Sequence, residues 1–210
     1  MDFSHYYAEF LTIALVHFLA VASPGPDFAV IVKQSLTRGR RTAIITSFGV
    51  GSAILLHVTY SLVGIGLLIA SDPMYFTVLS YIAAAYLGYI GIQGLRAKPN
   101  SGHSDDKFAQ KQQQSGIKAF FTGFLVNGLN VKATLFFVSL FSLVISPQTP
   151  TLVQAFYGGY MALATAAWFC FLSIMLTIGK FREKLLQKAH IIDRFMGIVL
   201  LALAVKIIIT

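Results

Sequence analysis

A carboxylate and an amine stand within stretches of sequence that are otherwise apolar. Asp27 follows Ser23–Pro24–Gly25–Pro26 and precedes Phe28; Lys132 follows Asn127–Gly128–Leu129–Asn130–Val131 and leads into Phe136–Phe137–Val138. Two prolines remove backbone donors and crowd the preceding turn, and the glycine between them loosens the chain further. In lipid, a helix broken this way exposes backbone groups at several kcal/mol each unless protein, water or solute satisfies them, so the break belongs inside a bundle. The half-helix restarting near Asp27 would aim its positive end and free N–H groups inward, which suits a carboxylate. Ionisable side chains at such depth face a cavity or a partner. Asp27 and Lys132 are therefore expected to meet, or to bracket a solute, where the two breaks face each other.

The expected binding set is Pro24, Gly25, Pro26, Asp27, Asn127, Asn130 and Lys132. Asp27 is also the candidate for proton exchange, with His17, two helical turns before Pro24 on the same face, as a second relay group. Each residue has a plainer reading. Asp27 would cap the half-helix; Lys132 would pair structurally or snorkel; the asparagines would only satisfy broken backbone. His17 and His57 would be hydrogen-bonded packing histidines.

The elements that must position these groups are membrane spans. The chain has 210 residues, 56% hydrophobic and 11% charged, against about 25% charge in soluble domains. About 20 apolar residues cross the hydrocarbon core, and six stretches qualify: Tyr6–Val32, Ala43–Ala70, Met74–Leu95, Ala119–Ile145, Thr151–Ile178 and Ile191–Ile209. Ser71–Asp72–Pro73 and Ser146–Pro150 read as short turns. The polar links Lys33–Thr42, Arg96–Lys118 and Gly179–Arg194 hold 14 of the 16 Lys and Arg. Lys and Arg stay on the cytoplasmic side, so both termini are expected outside and the basic loops inside. The net charge of +8 is thus a topology signal, touching anionic lipid rather than nucleic acid. Ala20–Val21–Ala22 has the form of a signal-cleavage site, but no Lys or Arg precedes the apolar stretch, so the first span is expected to be retained.

The expected fold class is all-α: one transporter domain over 1–210, with a first three-helix repeat (1–95), a cytoplasmic loop (96–118) and a second three-helix repeat (119–210) of opposite direction. Phe18–Leu19 before the first break matches Phe124–Leu125 before the second at an offset of 106 residues. The sets Ser47/Gly51, Gly88/Gly91/Gly94 and Gly158/Ala162/Ala166 have the spacing of close helix contacts. No phosphate-binding GxxxxGK[ST] loop, HExxH or Cys/His cluster occurs, so neither ATP hydrolysis nor a cofactor or metal site is read here. Cys170 has no partner for thiol–disulfide chemistry and reads as a lipid-facing or packing residue. What remains is a non-enzymatic transporter drawing on an ion gradient, worth about 2.3 kcal/mol per charge per 100 mV. A metal-ion exporter or a membrane assembly factor on the same architecture stays open.

Ser23–Pro24–Gly25–Pro26–Asp27 after an apolar start, with Asn127-x-x-Asn130-x-Lys132–Ala133 opening the second half, resembles the LysE-type amino-acid exporter family. Leu11–Thr12–Ile13–Ala14–Leu15–Val16–His17 and Val138–Ser139–Leu140–Phe141–Ser142–Leu143 are most similar to its threonine/homoserine exporter branch. The likeness covers the whole chain in length, spans, basic central loop and both motifs. One position departs: Val131 stands where the family has the proline of Asn-Pro-Lys, which weakens the forced kink and leaves open whether the fourth helix is broken. The resemblance implies export of a neutral amino acid or related metabolite by proton antiport, through a homodimer in the bacterial inner membrane.

Overall fold

The structure is a computed structural model that describes residues 3–71, 73–97, 114–146, 148–178 and part of 188–208. All regular structure among them is helical: α1 (Phe3–Ala22), α2 (Pro26–Thr37), α3 (Arg40–Ser71), α4 (Pro73–Leu95), α5 (Gly116–Gly128), α6 (Val131–Leu143) and α7 (Thr151–Met175), with further helical residues in 188–208. Arg40–Gly64 and Thr151–Met175 are each long and apolar enough to cross a membrane. Tyr6–Ala22 with Pro26–Thr37, and Gly116–Gly128 with Lys132–Leu143, pass as pairs bent by 53° and 58°. Large apolar side chains cover the outside, among them Leu11, Leu15, Phe121, Leu125, Leu163 and Phe171. Helices apolar on the outer face as well as the inner one belong in lipid.

Two expected boundaries move. The stretch 33–42 is not an extended polar link: α2 continues to Thr37 and α3 begins at Arg40, leaving Arg38 and Gly39. Lys, Gln and Arg are good helix formers, and Gly39 makes the reversal at φ +87°, open to residues without a Cβ. The span expected to reach Ile178 ends its helix at Met175. Asp72, most of the central basic loop (98–113) and 179–187 lie outside the described residues.

Side-chain pairs fix the relative directions of the helices. Glu9 and His17 of α1 bond Tyr157 and Thr165 of α7, so α1 and α7 run parallel. Ser47 bonds Ser173 at 3.1 Å, while a Cβ on Gly158 would strike Val58, so α3 and α7 are antiparallel. On α5, a Cβ on Gly123 would stand 2.0 Å from the Thr46 carbonyl oxygen and one on Gly128 4.0 Å from Ala53, so α3 and α5 are parallel. It follows that α1 and α5 are antiparallel, and their breaks can face each other.

Between helices in lipid, close packing and polar pairs replace the hydrophobic drive. The expected small-residue contacts occur: a Cβ on Gly51 would stand 2.7 Å from Ala166 Cβ, and one on Gly91 2.9 Å from the Gly197 carbonyl oxygen. The tightest crossing was not among them. Gly49 and Gly123 bring α3 and α5 together backbone to backbone, and a Cβ on either would lie 2.0 Å from a carbonyl oxygen of the other helix.

The two ends of the bundle carry different polar joints. At one end Arg38 and Gln34 bond Gln114, and Arg40 bonds Thr177. At the other, the buried Glu9 carboxylate accepts from the Ser146 N–H (2.6 Å), the Thr149 hydroxyl (3.0 Å) and the Tyr157 hydroxyl (2.9 Å).

Candidate functional site

The first break is made by what α2 lacks. Gly25 is its N-cap in extended backbone, Pro26 is its first residue, and no side chain caps it. Proline suits this position because its missing N–H would have no helical partner there. Asp27 lies in the first turn without capping it. The capping reading of Asp27 therefore does not hold; its carboxylate is used across the bundle instead.

The second break exists without a proline, so the opening that Val131 left is decided by Asn130. Asn130 takes φ −78°, ψ 105°, outside the helical region, and its Oδ1 accepts the Lys132 N–H at 3.0 Å. That is an N-cap starting α6 afresh. The end of α5 closes in a tight turn, with the Asn130 N–H bonded to the Asn127 carbonyl at 2.9 Å. His57 of α3 adds a second bond, its Nε2 lying 3.0 Å from the same carbonyl. A carbonyl only accepts, so Nε2 donates, and Nδ1 pairs with the Tyr60 hydroxyl, its other partner. His57 also stacks on Phe137, with ring centroids 5.5 Å apart and planes at 7°. The two N-caps, Gly25 and Asn130, keep within one residue of the 106-residue offset seen in the sequence.

The two breaks hold each other. Asp27 Oδ2 accepts from Asn127 Nδ2 at 3.0 Å and from Asn130 Nδ2 at 3.1 Å. Lys132 Nζ reaches back across the gap to Ser23 Oγ at 3.1 Å. It also overlies Gly25, where a Cβ would stand 3.5 Å from Nζ. Asp27 and Lys132 thus bracket one cavity from opposite breaks.

That cavity is lined by all the expected residues except Pro24: Gly25, Pro26, Asp27, Asn127, Asn130 and Lys132, and also His17. Its remaining wall is largely apolar, with Phe28, Ile54, Phe136, Phe137 and Phe169. Pro24 lies in the link between α1 and α2, outside that lining. Asp27 Oδ1 and Asn127 Oδ1 are buried and make no hydrogen bond within the described protein. Two orphan acceptors, a lysine side chain and an uncapped half-helix N-terminus put hydrogen-bond acceptors and positive charge around one cavity. No group of three His, Cys, Asp or Glu positioned for a metal occurs among the described residues.

Sequence reading missed Ser23 as the partner of Lys132, Thr165 as the partner of His17, and the phenylalanine wall. Ser23 stood inside the recognised motif, a signal that was available. Thr165 sits between packing positions 162 and 166 on α7, and nothing local distinguishes it.

Fold and site together define a multi-pass helical membrane protein whose polar cavity lies between two antiparallel broken helices. A family model described as LysE type translocator matches residues 18–210. The chain belongs to the LysE-type translocator family, a class of transporters rather than enzymes. It is 27% identical over 201 residues to the threonine efflux protein of Escherichia coli K12, covering 96% of this chain and 98% of that one. It is 31% identical over 154 residues to the homoserine/homoserine lactone efflux protein of Salmonella typhimurium, covering 73% and 71%. An uncharacterised membrane protein of Haemophilus influenzae is 28% identical over 194 residues, 91% of each chain. No solved structure matches the chain.

Proposed function

We propose that this protein exports a small neutral amino acid, threonine- or homoserine-like, from the bacterial cytoplasm in exchange for protons. The observation that carries the reading is the pair of orphan acceptors, Asp27 Oδ1 and Asn127 Oδ1, on residues that line the same cavity as Lys132. A zwitterion complements that arrangement: its ammonium donates to the two acceptors, and its carboxylate meets Lys132 Nζ and the first turn of α2. Relatives named for threonine and homoserine efflux support the substrate class. Asp27 is the proton-exchanging group, since a proton on its carboxylate removes the charge that holds the ammonium.

The same reading includes six spans in two inverted three-helix repeats, an inner-membrane location with both termini outside, and a homodimer. Pro24, Gly25 and Pro26 keep the first break open; Asn127 and Asn130 orient Asp27 and keep the second.

The test is uptake of labelled threonine and homoserine into everted membrane vesicles under an imposed pH gradient. Accumulation that depends on this protein and collapses when the gradient is dissipated is the expected result. Vesicles that take up no amino acid would remove the proposal.

A further inference from the structure

We propose that His17 and Thr165 form the part of the cavity that reads the substrate's side chain, favouring a hydroxyl over a methyl of the same size. The inference rests on the amino-acid transport reading above and goes further by assigning its selectivity to two residues. Both side chains line the cavity, and both are only 1% exposed. His17 comes from α1 upstream of the break and Thr165 from α7, so neither belongs to the break that holds the amino and carboxylate ends.

Their chemistry is incomplete. Thr165 Oγ1 lies 3.1 Å from His17 Nε2, while His17 Nδ1 is buried without a hydrogen-bond partner among the described residues. A neutral imidazole carries one proton, so Nδ1 is either a donor or an acceptor according to which way the Thr165 bond points. A hydroxyl answers both cases, since it can accept or donate; a methyl answers neither. Around this pair the wall is Ile54, Phe136, Phe137 and Phe169, with the Phe137 ring centroid 6.1 Å from that of His17. An apolar pocket alone separates a hydroxyl from an isosteric methyl poorly, whereas a buried polar group left unpaired by the wrong substrate penalises it strongly.

Two isosteric pairs test the assignment, threonine against valine and homoserine against norvaline, as labelled substrates in vesicles carrying the full chain. The wild type is expected to prefer the hydroxyl member of at least one pair by about tenfold or more. His17→Phe and Thr165→Val are each expected to bring that ratio close to one, and Thr165→Ser to keep it. A monodisperse detergent-extracted peak checks that each variant folds, and Thr165→Val tests the same pair should His17→Phe fail to fold. A wild type that carries both members of each pair equally, or variants that keep the wild-type ratio, would overturn the inference and leave amino-acid transport intact. A wild type that carries none of the four would instead defeat the transport reading.

Discussion

Asn130 Nδ2 lies 3.1 Å from Asp27 Oδ2, while the Oδ1 of the same amide caps its own helix at the Lys132 N–H. One side chain therefore starts the second half-helix and anchors it to the first. Asn130→Ala removes both bonds. Losing the cap costs about 1 kcal/mol, and losing a bond to a carboxylate about 1.5–3 kcal/mol. The variant is expected to melt at clearly lower temperature in detergent, followed by tryptophan fluorescence or size exclusion after heating. Asn130→Asp keeps the cap but loses the same bond to Asp27 and sets a second carboxylate against it, so it should lose stability as well as transport.

Asp27→Asn separates charge from shape. An amide oxygen at the same position still accepts from Asn127 and Asn130, now as two neutral bonds, so the folded state should weaken by about 1–3 kcal/mol and remain folded. Without a titrating carboxylate, proton-coupled export should fall about 100-fold or more, of the order seen when an essential proton-transfer group is lost. Efflux from preloaded cells, beside a detergent-stability assay, reads both effects. Normal export by the variant would take Asp27 out of the coupling step.

Val131→Pro should be tolerated. Val131 is the first residue of α6, where proline fits, and Asn130 at ψ 105° already sits near the extended conformation that a following proline demands. The expected change is neutral to stabilising by about 0.4–1 kcal/mol, through a less flexible unfolded chain. A large loss of folded protein would show that the second break needs a backbone N–H at this position.

Gly123→Ala should damage the bundle, while Gly159→Ala should be mild. At Gly123 the new methyl would stand 2.0 Å from the Thr46 carbonyl oxygen; at Gly159 nothing lies within 4 Å. Overpacking costs about 1–3 kcal/mol or more when the neighbour cannot move, and a backbone carbonyl in a packed helix cannot. Comparing yield and melting of the two variants tests the crossing directly.

Much of this arrangement was legible in the sequence because its causes are local or compositional. Apolar run lengths gave the helices, and Pro24–Gly25–Pro26 announced the first break with a mechanism attached. The antiparallel relation of the broken helices was foreseen from the alternation of basic links. The second break was only half visible: its cause is an asparagine whose amide is engaged on both sides, and an asparagine does not advertise a kink as a proline does. Two relations were out of reach for the same reason. Ser23 with Lys132, and His17 with Thr165, join residues 109 and 148 positions apart, and no periodicity within one helix encodes which residue of another it will touch. The Gly49–Gly123 crossing was hidden likewise, since each glycine looks unremarkable until its neighbour's carbonyl is seen.

That crossing bears on how the protein can move. Where main chain rests on main chain there are no side chains to re-pack, so α3 and α5 cannot slide gradually past one another, and Gly51 with Gly158 ties α7 to the same slab. On the exporter reading proposed above, switching the cavity from one face of the membrane to the other would then fall to α2 and α6, the helices that start at the two breaks. In such a machine the joints that flex and the atoms that grip the cargo are the same residues, so an occupied site would alter the angle of its own hinges.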